Sequence, residues 1–97
     1  MITKFAFSSK AWDHNNVRLT NQIFKLLPMY EKNEDWEKQQ QTIILELKGY
    51  NEMFEDNPHF MVLISKLVAL SFVEDRIDFR KLIFEAITEL KNTMIDE

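Results

Sequence analysis

FMVLISKLVALSFV, residues 60–73, is the stretch that decides the fold. Eleven of its 14 residues are apolar, and the exceptions are two serines and one lysine. A run of 14 residues is long for a strand and ordinary for a helix. Pro58 suits the first helical position, and Asn57 before it is a good N-cap. A helix that is apolar nearly all round is a core helix or a membrane span. Because a span needs about 20 apolar residues, we predict a central core helix. The alternative is a helix covered half by its own chain and half by a partner.

Three amphipathic stripes flank this central helix. They run at helical spacing from Trp12 to Tyr30, from Trp36 to Phe54 and from Phe79 to Met94. The predicted helices cover residues 10–30, 34–55, 58–73 and 76–93, and residues 1–9 form a short extended arm. Short connections make consecutive helices antiparallel neighbours. The sequence therefore predicts an all-α fold: a compact antiparallel four-helix bundle with a buried third helix, formed by residues 1–97 as a single domain.

Local signals refine these boundaries. Pro28 removes a backbone hydrogen bond and disfavours a helical residue before it, so the first helix should kink or stop there. Asn33, followed by two acidic residues, is the predicted start of the second helix. Asp75 and Asp78 resemble a capping pair for the last helix. Gly49, inside the second helix, either admits a close neighbouring helix or is incidental.

The composition excludes several classes of function. The chain has 16 acidic and 12 basic residues, and its net charge of −4 disfavours nucleic-acid binding and docking on anionic membranes. The same charge suits a basic partner. Cysteine is absent, and the N-terminus carries no long apolar signal segment, so we expect a cytoplasmic protein. Richness in Lys, Asn, Ile and Glu indicates an AT-rich microbial or phage genome.

No residue pattern points to bond chemistry. His14 and His59 are the only histidines, and neither has a second His or Cys three or four residues away; Glu55 lies four residues before His59, but Pro58 separates them, so they do not share a helix face. The acidic clusters fall in predicted loops and helix ends, where solvation is their ordinary state. A single glycine excludes a phosphate-binding loop, and the serines lack a nucleophile motif. We therefore predict no catalytic residues, no cofactor and no metal, and a protein that is not an enzyme.

Aromatic content is the remaining signal. The chain contains eight Phe, two Trp and two Tyr residues, more than one small bundle needs to bury, and aromatic side chains dominate the energetics of interfaces. In the last helix two large apolar residues lie off the core stripe, and the arm offers two phenylalanines. The predicted partner-binding residues are Phe5, Phe7, Trp12, Ile77 and Phe84.

No motif matches a known family closely enough to name one. In size and general plan the chain resembles bacteriocin immunity proteins and small phage-encoded inhibitors, which have short helices in fewer than about 100 residues. We predict a small protein-binding module: an inhibitor or adaptor that masks a partner's surface, encoded by a phage or mobile element, or an assembly subunit that forms a homodimer. The alternatives are an immunity-type bundle that protects against a toxin, and a DNA-binding regulator that uses the helix starting near Arg76.

Overall fold

The computed structural model describes residues 9–53 and 58–93, and this part of the chain forms four α-helices. Helix α1 spans Ser9–Glu31, α2 spans Trp36–Met53, α3 spans Pro58–Ala69 and α4 spans Arg76–Asn92. A short 3₁₀ turn, Leu70–Phe72, continues α3. The predicted all-α four-helix bundle is confirmed. Residues 1–8 of the predicted arm, and the predicted N-cap Asn57, lie outside the described residues.

Each helix packs against the next one in the chain, and α4 returns to pack against α1. Residues at opposite ends of α1 and α4 meet: the indole of Trp12 bonds to the carbonyl of Thr93, and Glu31 pairs with Arg76. These contacts make α1 and α4 antiparallel. The bundle is therefore a closed ring of four helices, about twice as long as it is wide, with extents of 40 × 20 × 20 Å.

The core fills the space inside this ring. Burying one large apolar side chain of this kind stabilises a fold by about 1.5–3 kcal/mol. All four helices and the 3₁₀ turn contribute buried apolar residues: Trp12, Leu19, Ile23, Leu26, Ile43, Leu47, Phe60, Leu63, Leu67, Leu70, Phe79, Ile83, Ala86, Ile87 and Leu90.

Aromatic clusters close the two ends of the core. At one end Trp12 lies edge-on to Tyr50, with ring centroids 4.9 Å apart, and tilted against Phe60 at 5.6 Å. At the other end Tyr30 stacks on Phe79 at 4.0 Å, and Trp36 meets the same Phe79 edge-on at 5.0 Å. Of the nine aromatic residues within the described part of the chain, six therefore pack in or against the core.

At the end of α1 the helix does not stop at Pro28, and Asn33 does not have its predicted role. Pro28 lies inside the helix, which continues to Glu31. Pro28 is exposed, so water can bond to the Phe24 carbonyl that loses its backbone donor there. Asn33 does not begin α2: it has a left-handed φ of 59°, and it ends α1.

The backbone bonds around Asn33 form a Schellman motif. Its N–H donates to the Tyr30 carbonyl at 3.1 Å, and the next N–H, that of Glu34, donates to the Met29 carbonyl at 2.8 Å. Asparagine is one of the few residues that adopts this left-handed conformation readily. Asp35 caps α2 instead, since its carboxylate accepts from the Lys38 backbone N–H at 3.4 Å.

The start of α4 is as predicted. The Asp75 carboxylate accepts a hydrogen bond from the backbone N–H of Asp78 at 2.8 Å, and Asp75 itself has extended backbone angles. An N-cap of this kind contributes about 0.5–2 kcal/mol of stability. The turn between α3 and α4 is thereby fixed by a local signal that the sequence shows directly.

Helix α3 is less enclosed than its sequence predicts. Its inner face is buried by Phe60, Leu63 and Leu67, and it lies between α2 and α4. Its outer face and the following turn expose four large apolar side chains: Met61, Val62, Val68 and Phe72. The predicted third helix is therefore buried on its inner face, while the described part of the chain leaves its outer face uncovered.

The side chain of Gln40 on α2 forms hydrogen bonds to α3 and to the turn that follows it. Gln40 is buried, and its amide donates to the Leu67 carbonyl and, at 3.0 Å, to the Ser71 hydroxyl. These bonds satisfy backbone and side-chain groups where α3 changes into the 3₁₀ turn.

Gly49 is incidental to packing, because a Cβ atom added there would meet nothing within 4 Å.

Candidate functional site

The structure separates the five predicted partner-binding residues. Phe5 and Phe7 lie outside the described residues. Trp12 is fully buried, so its prediction as a surface residue is wrong. Ile77 and Phe84 project from α4 with 76% and 43% of their surface exposed. Among the predicted partner-binding residues that the structure describes, Ile77 and Phe84 on α4 are therefore accessible to a partner.

Burial of Trp12 has a clear physical reason. Besides the ring contacts with Tyr50 and Phe60, its indole N–H donates to the carbonyl of Thr93 at 3.1 Å. Its neighbour one turn on, Asn16, donates to the Leu90 carbonyl at 2.8 Å. A buried indole needs such an acceptor. The apolar ring and the N–H of Trp12 are both used within the bundle.

The exposed pair on α4 continues onto α1. The rings of Phe84 and Phe24 are in edge-to-face contact, with centroids 5.6 Å apart and planes at 77°. Val17 lies seven residues before Phe24, and Ile77 lies seven before Phe84, so each lies on the same helix face as its phenylalanine. We call this set of four residues, Val17, Phe24, Ile77 and Phe84, the α1–α4 seam.

The α1–α4 seam is an apolar strip on the outside of the bundle. Because α1 and α4 are antiparallel, Val17 and Ile77 extend from the central pair in opposite directions. Seven helical residues rise about 10 Å, so the strip is about 20 Å long. Val17 and Ile77 are the more exposed members, at 61% and 76%.

Sequence reasoning missed Val17 and Phe24. Both fall off the stripe that predicts α1, and they are seven residues apart. That spacing is the signal that could have found them, because off-stripe apolar residues on one helix face indicate a second, outer face. What the sequence could not show is that this face lies beside Phe84, since that requires the antiparallel pairing of α1 with α4.

A second group of exposed apolar residues lies on α3 and the 3₁₀ turn that follows it. It comprises Met61, Val62, Val68 and Phe72, the outer face of α3 defined above, and Phe72 is the most exposed at 80%. Charged residues do not interrupt it: Lys66, the one cation of α3 and its 3₁₀ turn, is directed to Glu85 on α4, 2.9 Å away. Leu45, exposed on α2, stands apart on the back of that helix.

A pocket of about 480 Å³ lies at the end of the bundle where α1 and α4 meet. Its lining is Tyr30, Glu31, Asn33, Trp36 and Arg76. Arg76 and Glu31 face each other across it, with Nη1 and Oε2 separated by 3.3 Å. The two charges are directed at one another, and no second carboxylate lines the pocket. This arrangement offers no acid pair of the kind that carries hydrolytic chemistry.

The histidines and acids do not assemble a metal centre in the described part of the chain, where no three His, Asp or Glu side chains are grouped. His14 is exposed. His59 on α3 lies 3.1 Å from a carboxylate oxygen of Glu89 on α4. Over the same residues, no helix combines the length and hydropathy that crossing a membrane requires.

Comparisons with known proteins find no similarity: the chain matches no family model, no curated protein and no solved structure.

Proposed function

We propose that this protein is a small non-catalytic protein-binding module and that the α1–α4 seam is its binding surface. The observation that carries the proposal is the contact between Phe24 and Phe84, which joins the exposed apolar residues of two helices into one strip. Clustered exposed apolar groups mark interaction sites, whereas scattered single ones do not. Masking of a partner's surface, as by an inhibitor or adaptor, requires no more than such a rigid patch.

The aromatic content of the strip supports this function. Truncating an aromatic anchor at the centre of an interface commonly weakens binding by about 2 kcal/mol or more. Phe24 and Phe84 occupy the centre of the strip and already contact each other, so they lose little conformational freedom when a partner covers them. An immunity-type bundle would act through the same kind of surface and is one form of this proposal.

The test compares matched exposed residues. Full-length protein is immobilised and partners are recovered from cells of its source, with wild type, the double variant Phe24→Ala/Phe84→Ala, and the control Leu45→Ala. We expect a protein that wild type and the control retain and the double variant loses. Retention of every partner by the double variant, with its helical content unchanged, would reject the α1–α4 seam as the binding surface.

Self-association is a second candidate function, and the outer face of α3 favours it. This face exposes Met61, Val68 and Phe72 without a charged residue between them. Two copies could pair there about a two-fold axis without opposing like charges. Light scattering over a concentration series should show a dimer that Phe72→Ser abolishes. A wild-type protein that stays monomeric at millimolar concentration would reject this candidate.

A DNA-binding regulator finds less support. Of the cations near the start of α4, Arg76 pairs with Glu31, and the guanidinium of Arg80 lies over the ring of Phe84, 5.5 Å from its centroid. A recognition helix needs a polar, basic contact face for base edges and phosphates, whereas the exposed face of α4 carries the apolar residues Ile77 and Phe84. We therefore do not propose DNA binding.

A further inference from the structure

The charged residues of α4 are sorted to different sides of the helix. Glu85 accepts a hydrogen bond from Lys66 on α3 at 2.9 Å. A carboxylate oxygen of Glu89 lies 3.1 Å from Nδ1 of His59, which is also on α3. Asp78 lies seven residues before Glu85 and therefore shares its face. The three acids within α4 thus lie on the side that faces α3, away from the α1–α4 seam.

The basic residues of α4 lie beside the seam. Arg80 and Lys81 follow Ile77 by three and four residues and precede Phe84 by four and three, so they flank both apolar side chains. Both are exposed. The guanidinium of Arg80 is held over the Phe84 ring at 5.5 Å, a cation–π contact that places its charge at the centre of the strip.

Helix α1 adds no negative charge along most of the strip. Residues 14–30 contain no Asp or Glu, and this segment spans Val17 and Phe24; the one acid of α1 before it, Asp13, lies four residues before Val17, at the N-terminal end of the strip. One of its cations, Arg18, is directed to Glu46 on α2. The nearest acid beyond the segment at its C-terminal end, Glu31, pairs with Arg76. The seam is therefore apolar and locally basic, although the whole chain carries a net charge of −4.

We propose that the α1–α4 seam binds an acidic amphipathic α-helix of a partner protein. This inference rests on the proposed function and specifies its partner. The apolar strip repeats at seven-residue intervals over about 20 Å, which is the length of about 14 helical residues. A helix with apolar residues at heptad spacing would match that repeat, and carboxylates on its flanks would meet Arg80 and Lys81.

Local charge, not net charge, governs this recognition. At physiological ionic strength charges are screened beyond about 8 Å, so a docked helix responds mainly to Arg80 and Lys81. The sequence suggested a basic partner from the net charge of −4, and the distribution of that charge reverses the expectation for this surface. A second copy of the chain docked here about a two-fold axis would oppose the same cations to each other, which is unfavourable.

The test is selection from a library of displayed 16-residue helices. Leucines are fixed at heptad spacing, and the flanking positions are randomised among Glu, Gln and Lys. Full-length protein is the target. We expect enrichment of strongly acidic sequences, and the best peptide should lose about tenfold or more in affinity with Arg80→Glu/Lys81→Glu. The control Lys38→Glu/Lys48→Glu changes the net charge equally, on exposed positions of α2, and should alter affinity less than about twofold.

Several results would overturn the inference. Enrichment of neutral or basic helices, or no enrichment, would reject an acidic helix as the ligand. Equal losses from the α4 and α2 charge reversals would show that net charge, not the seam, is sensed. Tighter binding of a fluorescent DNA duplex than of the acidic peptide would identify phosphate as the preferred anion. Each of these can occur while Phe24→Ala/Phe84→Ala still abolishes partner recovery, so failure here is distinct from failure of the proposed function.

Discussion

The indole N–H of Trp12, near the start of α1, donates to the backbone carbonyl of Thr93, just beyond the end of α4, across 3.1 Å. The two residues are 81 positions apart in the chain. Asn16 repeats the connection one turn further on, through the Leu90 carbonyl at 2.8 Å. The first and last helices are thus joined by buried polar bonds as well as by apolar packing.

Replacing Trp12 with Phe should destabilise the bundle. The substitution leaves the Thr93 carbonyl without this donor, which costs about 1–3 kcal/mol, and the smaller ring leaves unfilled space that adds to the loss. We expect a total of about 2–4 kcal/mol, measured by urea denaturation. The matched change Trp36→Phe, at a half-buried position, should cost less. Equal midpoints for the two variants would contradict the burial of Trp12.

Adjacent residues of α3 should respond oppositely to truncation. Leu67 is fully buried and Val68 is 43% exposed. Leu67→Ala should lower the free energy of unfolding by about 2–5 kcal/mol, because it opens a cavity. Val68→Ala should cost less than about 1 kcal/mol. Thermal unfolding of both variants in dilute solution provides the measurement, and a large loss in Val68→Ala would mean that the outer face of α3 is covered.

Gly49→Ala should stabilise the protein. Glycine in a helix interior is less favourable than alanine by about 0.5–1 kcal/mol. The added methyl group would have open space, since nothing lies within 4 Å of its position. We expect a gain of that size in the free energy of unfolding, with an unchanged urea dependence. A loss of stability would show that α2 needs the glycine for a close contact.

Alkaline pH should weaken the fold through Tyr50. Burial raises the pKa of the Tyr50 phenol above its ordinary value, and the nearby Glu46 carboxylate raises it further. A raised pKa in the folded state means that folding favours the neutral phenol. The neutral Tyr50 phenol therefore stabilises the fold fully below about pH 10, the pKa of an unfolded tyrosine. This stabilisation is lost as the pH rises through the pKa of Tyr50 in the folded state.

Tyr50→Phe tests this pH dependence. The variant should lose stability less steeply than wild type between about pH 9 and 12, in denaturation curves compared at each pH. Absorbance near 295 nm should show the late phenol ionisation of the wild type and its absence in the variant. Identical pH profiles would exclude Tyr50 as the group that titrates.

The sequence was sufficient for the class of fold and for most helix positions. Apolar periodicity located the core residues of α1, α2 and α4. The N-cap at Asp75 could be predicted because the residue it bonds to, Asp78, is only three positions away. Asn33 was misassigned because asparagine serves both N-caps and left-handed C-terminal positions. The choice between them depends on the backbone bonds of Tyr30 and Met29, which a residue pattern does not encode.

The site was harder to predict than the fold. Exposure of Ile77 and Phe84 followed from their position off the stripe of one helix. Trp12 was predicted to be a partner-binding residue because a large aromatic side chain is common in interfaces as well as in cores. Its burial depends on the Thr93 carbonyl that accepts its N–H, and that carbonyl is 81 residues away. The seam itself depends on which two helices are neighbours. Net charge says little about any single surface, because it sums over all sides of a molecule, and the basic partner that it suggests stays a prediction.

Closure of the helix ring also determines when the protein can fold during its synthesis. Helix α1 is made first, yet one of its two flanking helices is α4, the last to be made. Until residue 93 has left the ribosome, the side of α1 that packs against α4 remains uncovered, whatever α2 and α3 have already formed. Contacts between distant parts of the chain slow folding. The nascent chain is therefore expected to complete its core in a single late step, and an incomplete chain exposes apolar surface that chaperones recognise.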